Sequence, residues 1–259
     1  MSVKVYFFEC GTLKSEKHLF TLNRGIGVPF EVPVPFFLIQ YNDKNILFDT
    51  GNALEASKDP KKHWGDIIEA YNPVMEENQY VVNQLKTLGV QPEDIDYVIL
   101  SHLHLDHAGG VGAFPNARYI SHHKEVQWAF NPDCTQKGAY IMHDIDKGIE
   151  WLQLGNKFGE AYDLFDDGII EIYPTPGHTP GHISVLVNLT KPMLLTSDSC
   201  YTEENLNDNI APGLVWDAEE SIRTIKWIQN LQNEKGVEII TGHDPIAWKR
   251  FKKAPEYYS

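Results

Sequence analysis

Seven residues carry the chemistry open to this sequence. The run Ser101-His102-Leu103-His104-Leu105-Asp106-His107-Ala108-Gly109-Gly110 places three histidines and one aspartate within six positions. His178 lies in Thr175-Pro176-Gly177-His178-Thr179-Pro180-Gly181-His182, Asp198 ends the apolar run Met193-Leu194-Leu195-Thr196-Ser197, and His243 sits in Thr241-Gly242-His243-Asp244-Pro245. Imidazole nitrogen and carboxylate oxygen form the ligand set of zinc, with iron, manganese and cobalt as further divalent candidates. A tight loop can aim His102 and His104 at one metal while Asp106 and His107 turn towards a second. Metal coordination lowers the pKa of water from ~15.7 towards ~7 and polarises a carbonyl oxygen, so the reaction class is hydrolysis of an ester, lactone, thioester or amide. An exposed turn that is His-rich by chance would have no reason to find matching partners downstream.

These residues need elements that hold them in place. Tyr97-Val98-Ile99-Leu100 reads as a short buried strand, so the first cluster sits on the loop leaving its carboxyl end, where open α/β sheets place their sites. Met1 to Glu9 reads as a first strand and Gly11 to Phe30 as a polar stretch with little periodicity. Phe36 to Tyr41 and Ile46 to Asp49 form a hairpin around Asn42-Asp43-Lys44-Asn45. Asn52 to Pro73 reads as loop with a short helix. Glu76 to Leu88 reads as a helix with Val81, Val82, Leu85 and Leu88 on one face and Gly89 as its stop.

The second half repeats this order. Ile183 to Val187 and Met193 to Thr196 make a hairpin that ends at Asp198. Asp217 caps a helix bearing Ile222, Ile225, Ile228 and Leu231, Gly236 stops it, and Val237 to Ile240 delivers His243. Asp49 thus corresponds to Asp198, and the His102 loop to the His243 loop. Two such halves, each a sheet with outer helices, predict an α/β fold in which the sheets pack face to face as a four-layer αββα sandwich with internal pseudo-duplication. Between the halves, 115–160 reads as an insertion walling the site entrance, with a strand at Asn116 to Ile120 and a helix from Lys124 to Phe130. No linker divides the chain, so residues 1–259 are expected to form one hydrolase domain.

Composition narrows the partners. A net charge of −14 argues against a nucleic-acid or anionic-membrane partner, and hydrophobic content of 42% with 12% aromatics suits a soluble protein with a large core. No apolar run approaches the ~18 residues of a membrane span, and the N-terminus is too short and too soon interrupted for a signal peptide. Cys10, Cys134 and Cys200 are odd in number and widely spaced, which suits free thiols in the cytoplasm. Cys200 reads as a small buried residue rather than a ligand. Asp49 reads equally well as a residue orienting the ligand loop or as a strand-end turn. His182 is expected to support the site rather than bind metal. His122, His123 and His143 are expected to be exposed, and His63 to line the pocket or pack a loop.

Taken in order, His102, His104, Asp106, His107, His178, Asp198 and His243 match H-x-H-x-D-H, H, D, H, and the chain thereby resembles the metallo-β-lactamase superfamily. The resemblance implies one metal held by His102, His104 and His178, another by Asp106, His107 and His243, and Asp198 bridging the two with a shared hydroxide. Within the superfamily, Asp198-Ser199-Cys200-Tyr201-Thr202 resembles the D-x-x-Y-T of the N-acyl-homoserine lactonases, as do Glu31 to Leu38 and Thr241-Gly242-His243-Asp244-Pro245. His104 stands where similar di-iron oxygen reductases carry Glu, and the chain stops soon after His243 without the extra domain of glyoxalase II-type thioesterases. The expected enzyme is therefore a dinuclear zinc lactonase acting on a small-molecule lactone. In it the hydroxide attacks, Tyr201 hydrogen-bonds the lactone carbonyl or ring oxygen, and Asp106 or Asp198 passes a proton to the leaving alkoxide. Leu105 would touch the ring. Segments 11–30, 52–75 and 115–160 are where the acyl groove is sought, and a homodimer is compatible with this reading. The same metals would also serve a γ-butyrolactone hydrolase, an esterase or phosphotriesterase, or a metal binder without activity.

Overall fold

A computed structural model describes residues 3–259. The N-terminal apolar run becomes β1 (Val3–Glu16), which continues well beyond Glu9; Met1 and Ser2 of the expected strand lie outside the described residues. The strand crosses the polar stretch through a bulge, because its register against the next strand shifts between Glu9 and Thr12. Gly11 sits there at φ +72°, and a Cβ would come within 2.5 Å of Val74 O and Met75 Cβ, so only glycine fits. β2 (Pro29–Tyr41) also starts earlier than expected, with Pro35 and Pro33 opposite Glu9 and Thr12, where the ladder is already irregular. A turn at Asn42-Asp43, with Asn42 at φ 55°, leads into β3 (Lys44–Phe48).

The remaining strands are β4 (Asn72–Val74), β5 (Tyr97–Ile99), β6 (Arg118–His122), β7 (Trp151–Leu154), β8 (Tyr162–Asp163), β9 (Ile170–Pro174), β10 (Ile183–Val187), β11 (Met193–Ser197) and β12 (Glu238–Thr241). They form a seven-stranded sheet in the order β4-β1-β2-β3-β5-β6-β7 and a five-stranded sheet in the order β12-β11-β10-β9-β8. The expected repeat is present. β2 and β3 pair antiparallel and β3 pairs parallel with β5, just as β10 pairs antiparallel with β11 and β11 parallel with β12.

Period-two alternation makes the layers. On β1, Val5 and Phe7 join Phe37, Ile39, Phe48, Val185 and Leu195 in a core between the sheets, whereas Tyr6 and Phe8 join Phe36, Leu38 and Leu85 on the outer face of the first sheet. Leu186 and Leu194 face outward to Ile225, Ile228 and Leu231 of the 18-residue helix Ala218–Lys235. Asp217 caps that helix by accepting from the amides of Glu219 and Glu220, and Gly236 ends it at φ 65°. The architecture is the four-layer αββα sandwich of the metallo-β-lactamase fold.

Three local expectations change. Glu76 to Leu88 is not one helix: α-helical geometry covers only Val81–Leu85, between the 3-10 turns Glu77–Gln79 and Lys86–Leu88. The insertion is more regular than its aromatic composition suggested, because Trp151–Leu154 adds a parallel edge strand beside β6 and His123–Ala129 is the helix after it. His122 is buried rather than exposed, since its ring accepts from Lys124 N as the cap of that helix, and His123 is half-buried. Among the described residues no helix is long and apolar enough to cross a membrane.

Candidate metal centre

The ligand residues leave the carboxyl ends of parallel strands, β5 for the His102 loop, β11 for Asp198 and β12 for His243, while His178 follows β9. All five histidines and both aspartates are buried. His178 Nε2 lies 3.2 Å from His102 Nε2, 3.0 Å from His104 Nδ1 and 3.3 Å from Asp198 Oδ2, with His102 Nε2 3.5 Å from the same oxygen. On the other side, Asp198 Oδ1 lies 3.2 Å from His107 Nε2 and 3.1 Å from His243 Nε2, and each of those nitrogens is 3.5 Å from Asp106 Oδ2. Ligand atoms ~2.0–2.1 Å from a tetrahedral metal sit about 3.4 Å from one another, so each group of four has the spacing of a metal's coordination shell. Asp198 offers one oxygen to each group.

Hydrogen bonds behind the rings show why the facing atoms need a metal. His107 Nδ1 lies 2.9 Å from Asp49 Oδ2, His178 Nδ1 2.8 Å from Leu214 O, and His243 Nδ1 2.7 Å from Pro33 O. Carboxylate and carbonyl oxygens only accept, so these ring nitrogens donate, and in the neutral ring, the form that binds a metal, Nε2 is left with a lone pair. His102 Nδ1 lies 2.9 Å from Ser101 Oγ, whose hydroxyl donates to Asp49 Oδ2, with the same result. Lone pairs 3 Å apart repel unless a cation lies between them. Of the facing atoms, His107 Nε2 and Asp198 Oδ1 are buried without a hydrogen-bond partner among the described residues. The residues fit a pair of divalent cations.

Electrostatics agree. Burial holds His102 and His104 well below the ordinary imidazole range, as neutral ligands. Burial also opposes charge on His107, but the Asp198, Asp106 and Asp49 carboxylates outweigh it and lift its pKa well above the ordinary value. Three carboxylates around one buried ring call for positive charge. Burial pushes the Asp198 carboxyl up, yet the facing His107, His243 and His102 rings hold it well below the usual range.

The supports are equally defined. Asp49 accepts from Ser101 N at 2.7 Å and from the Ser101 and Ser197 hydroxyls at 2.9 Å, besides the His107 ring, so it orients the ligand loop rather than ending a turn. His182 Nε2 accepts from the Asp198 amide at 3.1 Å, behind the carboxylate that faces both groups. Cys200 is buried with its thiol on Thr202 O, away from the ligand atoms. Sequence reasoning missed Glu125, which is fully buried. It accepts from Leu103 N at 3.0 Å, the Tyr140 hydroxyl at 3.0 Å and the Thr179 hydroxyl at 2.5 Å, tying the His104 loop to the His178 loop. Its only sequence signal was a carboxylate on the apolar side of a short helix.

Leu13, Phe20, Tyr71, Leu105, Ala139, Tyr201 and Leu214 wall a narrow cavity of about 20 Å³ above Asp106, Asp198 and His243. The three segments searched for the groove each contribute, through Leu13 and Phe20, Tyr71, and Ala139. Leu214 lies outside them, and its carbonyl also anchors His178. The Tyr201 hydroxyl is 3.4 Å from His178 Nδ1, and burial beside Asp198 raises its pKa well above the ordinary phenol value, so it stays a donor. His63 does not line this cavity. Its Nε2 donates to Asp144 Oδ2 at 2.9 Å and its Nδ1 accepts from the exposed His143 Nε2 at 3.0 Å. That chain uses both ring nitrogens of His63 and pins the helix Pro60–Trp64 to the helix Met142–Ile145.

The family model described as the metallo-beta-lactamase superfamily matches residues 30–243. An N-acyl homoserine lactonase AttM from Azorhizobium caulinodans is 42% identical over 99% of this chain and 98% of its own length. The N-acyl homoserine lactonase AiiA from Bacillus thuringiensis subsp. kurstaki is 32% identical over 98% of each chain. A solved N-acyl homoserine lactone hydrolase, with the product N-hexanoyl-L-homoserine bound at its catalytic metal centre, superposes with a TM-score of 0.88 at 30% identity, over 99% of this chain and 100% of that one.

Proposed function

The chain belongs to the metallo-β-lactamase superfamily, and from that premise we propose that it hydrolyses N-acyl-homoserine lactones, opening the lactone ring to the N-acyl-homoserine. The observation that carries this reading is the Asp198–Tyr201 pair. One carboxylate is shared between two ligand groups, and a neutral phenol stands beside it over a small apolar cavity. The enzyme is metal-dependent. We further propose zinc, because the donors are imidazole and carboxylate at tetrahedral spacing. His102, His104 and His178 would hold one ion, Asp106, His107 and His243 the other, and Asp198 both. Residues 1–259 would act as one unit, since ligands come from both sheets. Three unpaired cysteines favour the reducing cytoplasm.

Bound metal supplies a nucleophile at neutral pH and Lewis acidity for the ester carbonyl. The chain's own groups do the rest. Tyr201 donates to the lactone carbonyl or ring oxygen as negative charge develops there. Asp198 commits an oxygen to each ligand group and is 3% exposed, whereas Asp106 is 10% exposed at the cavity. Asp106 is therefore the better carrier of a proton to the departing alkoxide. The cavity is narrow, with room of about 20 Å³, so the lactone head would enter as its apolar walls yield and the acyl tail would run out past Leu214 and Ala139.

The test is acid release by zinc-loaded protein from N-decanoyl-homoserine lactone and from γ-butyrolactone, with chelator-stripped protein as control. Metal-dependent release that is faster from the acylated lactone is the expected result. Equal or faster release from γ-butyrolactone would reassign the enzyme to small lactones, and release from neither would remove the lactone reading.

A further inference from the structure

Three atoms along this cavity are buried without a hydrogen-bond partner among the described residues: His104 Nε2, Asp198 Oδ1 and the Tyr71 hydroxyl. The first two belong to the metal-facing residues. Tyr71 does not. Its phenol is 7% exposed and lines the same cavity as Asp106 and Tyr201. A buried hydroxyl without a partner is destabilising, and this one lines the cavity where a substrate acceptor would arrive.

Tyr71 is also held rigidly. Its amide donates to Ile67 O at 2.9 Å, and it immediately precedes β4, whose Asn72, Pro73 and Val74 pair with Lys14, Leu13 and Thr12 of β1. The Phe20 ring packs edge-on against it at 6.0 Å and against Tyr201 at 5.1 Å and His243 at 5.8 Å. Phe20 therefore packs against both phenols that line this cavity, Tyr201, which sits beside the His178 ring, and Tyr71. Burial near the Asp106 and Asp198 carboxylates raises the Tyr71 pKa far above the ordinary phenol value, so at neutral pH it can only be a neutral hydroxyl with a proton to give.

We propose that the Tyr71 hydroxyl donates a hydrogen bond to the amide carbonyl of the substrate's N-acyl group, and so makes the site select acylated lactones over bare ones. The proposal rests on the lactonase reading above. The reacting ester oxygens are served by Tyr201 and the metals. An N-acyl-homoserine lactone carries one further carbonyl acceptor next to the ring, and γ-butyrolactone carries none. Tyr71 is a specificity residue in this account, because its partner is not a reacting atom.

Tyr71→Phe tests this in the zinc-loaded full chain. KM for N-hexanoyl-homoserine lactone should rise roughly five- to tenfold with kcat within about twofold, the signature of lost uniform binding. The constant for γ-butyrolactone, its KM or, if it is not turned over, its inhibition constant, should stay unchanged. Metal content should remain two per chain, and Tm should hold or rise, because the deleted hydroxyl had no partner in the free protein. Equal losses on both lactones would place Tyr71 on the ester itself and overturn the assignment. Unchanged KM on the acylated lactone, or a Tm several degrees lower, would overturn it as well. Wild-type protein assayed alongside separates the two failures: if it hydrolyses no acylated lactone, the lactonase reading falls and this one with it.

Discussion

On the floor of the site, four of the five metal-facing imidazoles have their second nitrogen fixed by a protein oxygen, from Ser101, Asp49, Leu214 or Pro33. On the wall, by contrast, Leu13, Phe20, Leu105, Ala139 and Leu214 offer side chains without polar atoms, and Tyr71 offers a hydroxyl with no hydrogen-bond partner among the described residues. The floor is fixed in advance, as a site for the two small cations proposed above requires, since their bond lengths would tolerate little error. The wall is left open because its guest comes and goes. The contrast predicts that changes on the floor act through metal content, and changes on the wall through substrate constants at unchanged metal content.

The largest effect should come from the residue shared by both halves of the floor. Asp198→Asn keeps the shape but turns one of the two oxygens into an amide with no lone pair for a cation. We expect loss of at least one metal per chain by elemental analysis and a fall in activity of ~10³-fold or more. Full activity with two metals would refute Asp198 as the bridge. Asp49→Asn is next. It touches no metal position, but it removes the acceptor that fixes the His107 tautomer and leaves the Ser101 and Ser197 hydroxyls one good acceptor short. Metal affinity by chelator competition should drop about 10–100-fold.

The same contrast explains what could be read from the amino-acid order. The floor is encoded in side-chain types that have few other uses at that spacing, and the seven side chains of the pattern do come together in two groups that could each hold a metal ion. The sandwich was legible because Val5/Tyr6/Phe7/Phe8 and Leu194/Leu195 alternate between faces, and because the hairpin-to-parallel-strand order occurs twice. The wall was not legible. Leu13 lay in a segment that looked irregular, because the bulge at Gly11 breaks the alternation that would have announced the rest of β1, and Phe20 follows the strand at the end of a short 3-10 turn. Tyr71 and Leu214 reach the cavity from loops, where no period marks a facing residue, and Leu214 matters partly through its carbonyl, which no side-chain pattern encodes. Glu125 was missed for another reason: a buried carboxylate is legible only once its three donors from separate elements are assembled around it.

Tyr201 stands on the boundary, with its ring on the His178 and His243 imidazoles and its hydroxyl over the cavity. Tyr201→Phe should therefore behave as a wall residue for metal content, which stays at two, and as a floor residue for chemistry, with kcat lowered about tenfold or more. An unchanged kcat would remove the phenol from the mechanism, and lost metal would move it to the floor.

The smallest effect is expected at the cluster that most resembles the floor without belonging to it. His63, His143 and Asp144 bring two imidazoles and a carboxylate as close together as a metal site does. The difference lies in the protons. At the metal centre the rings turn lone pairs towards one another, whereas here His143 can donate to His63 and His63 to Asp144, so each contact pairs a donor with an acceptor. The outer ring of the chain is 61% exposed, and a hydrogen bond there adds little stability. His143→Ala should thus leave activity within about twofold and cost no more than ~1 kcal/mol of stability, with zinc at two per chain before and after. A wild-type count of three zincs that falls to two in this variant would show that a cluster satisfied by its own protons can still prefer a cation, and that the orphaned lone pairs of the floor are not what sets the metal centre apart.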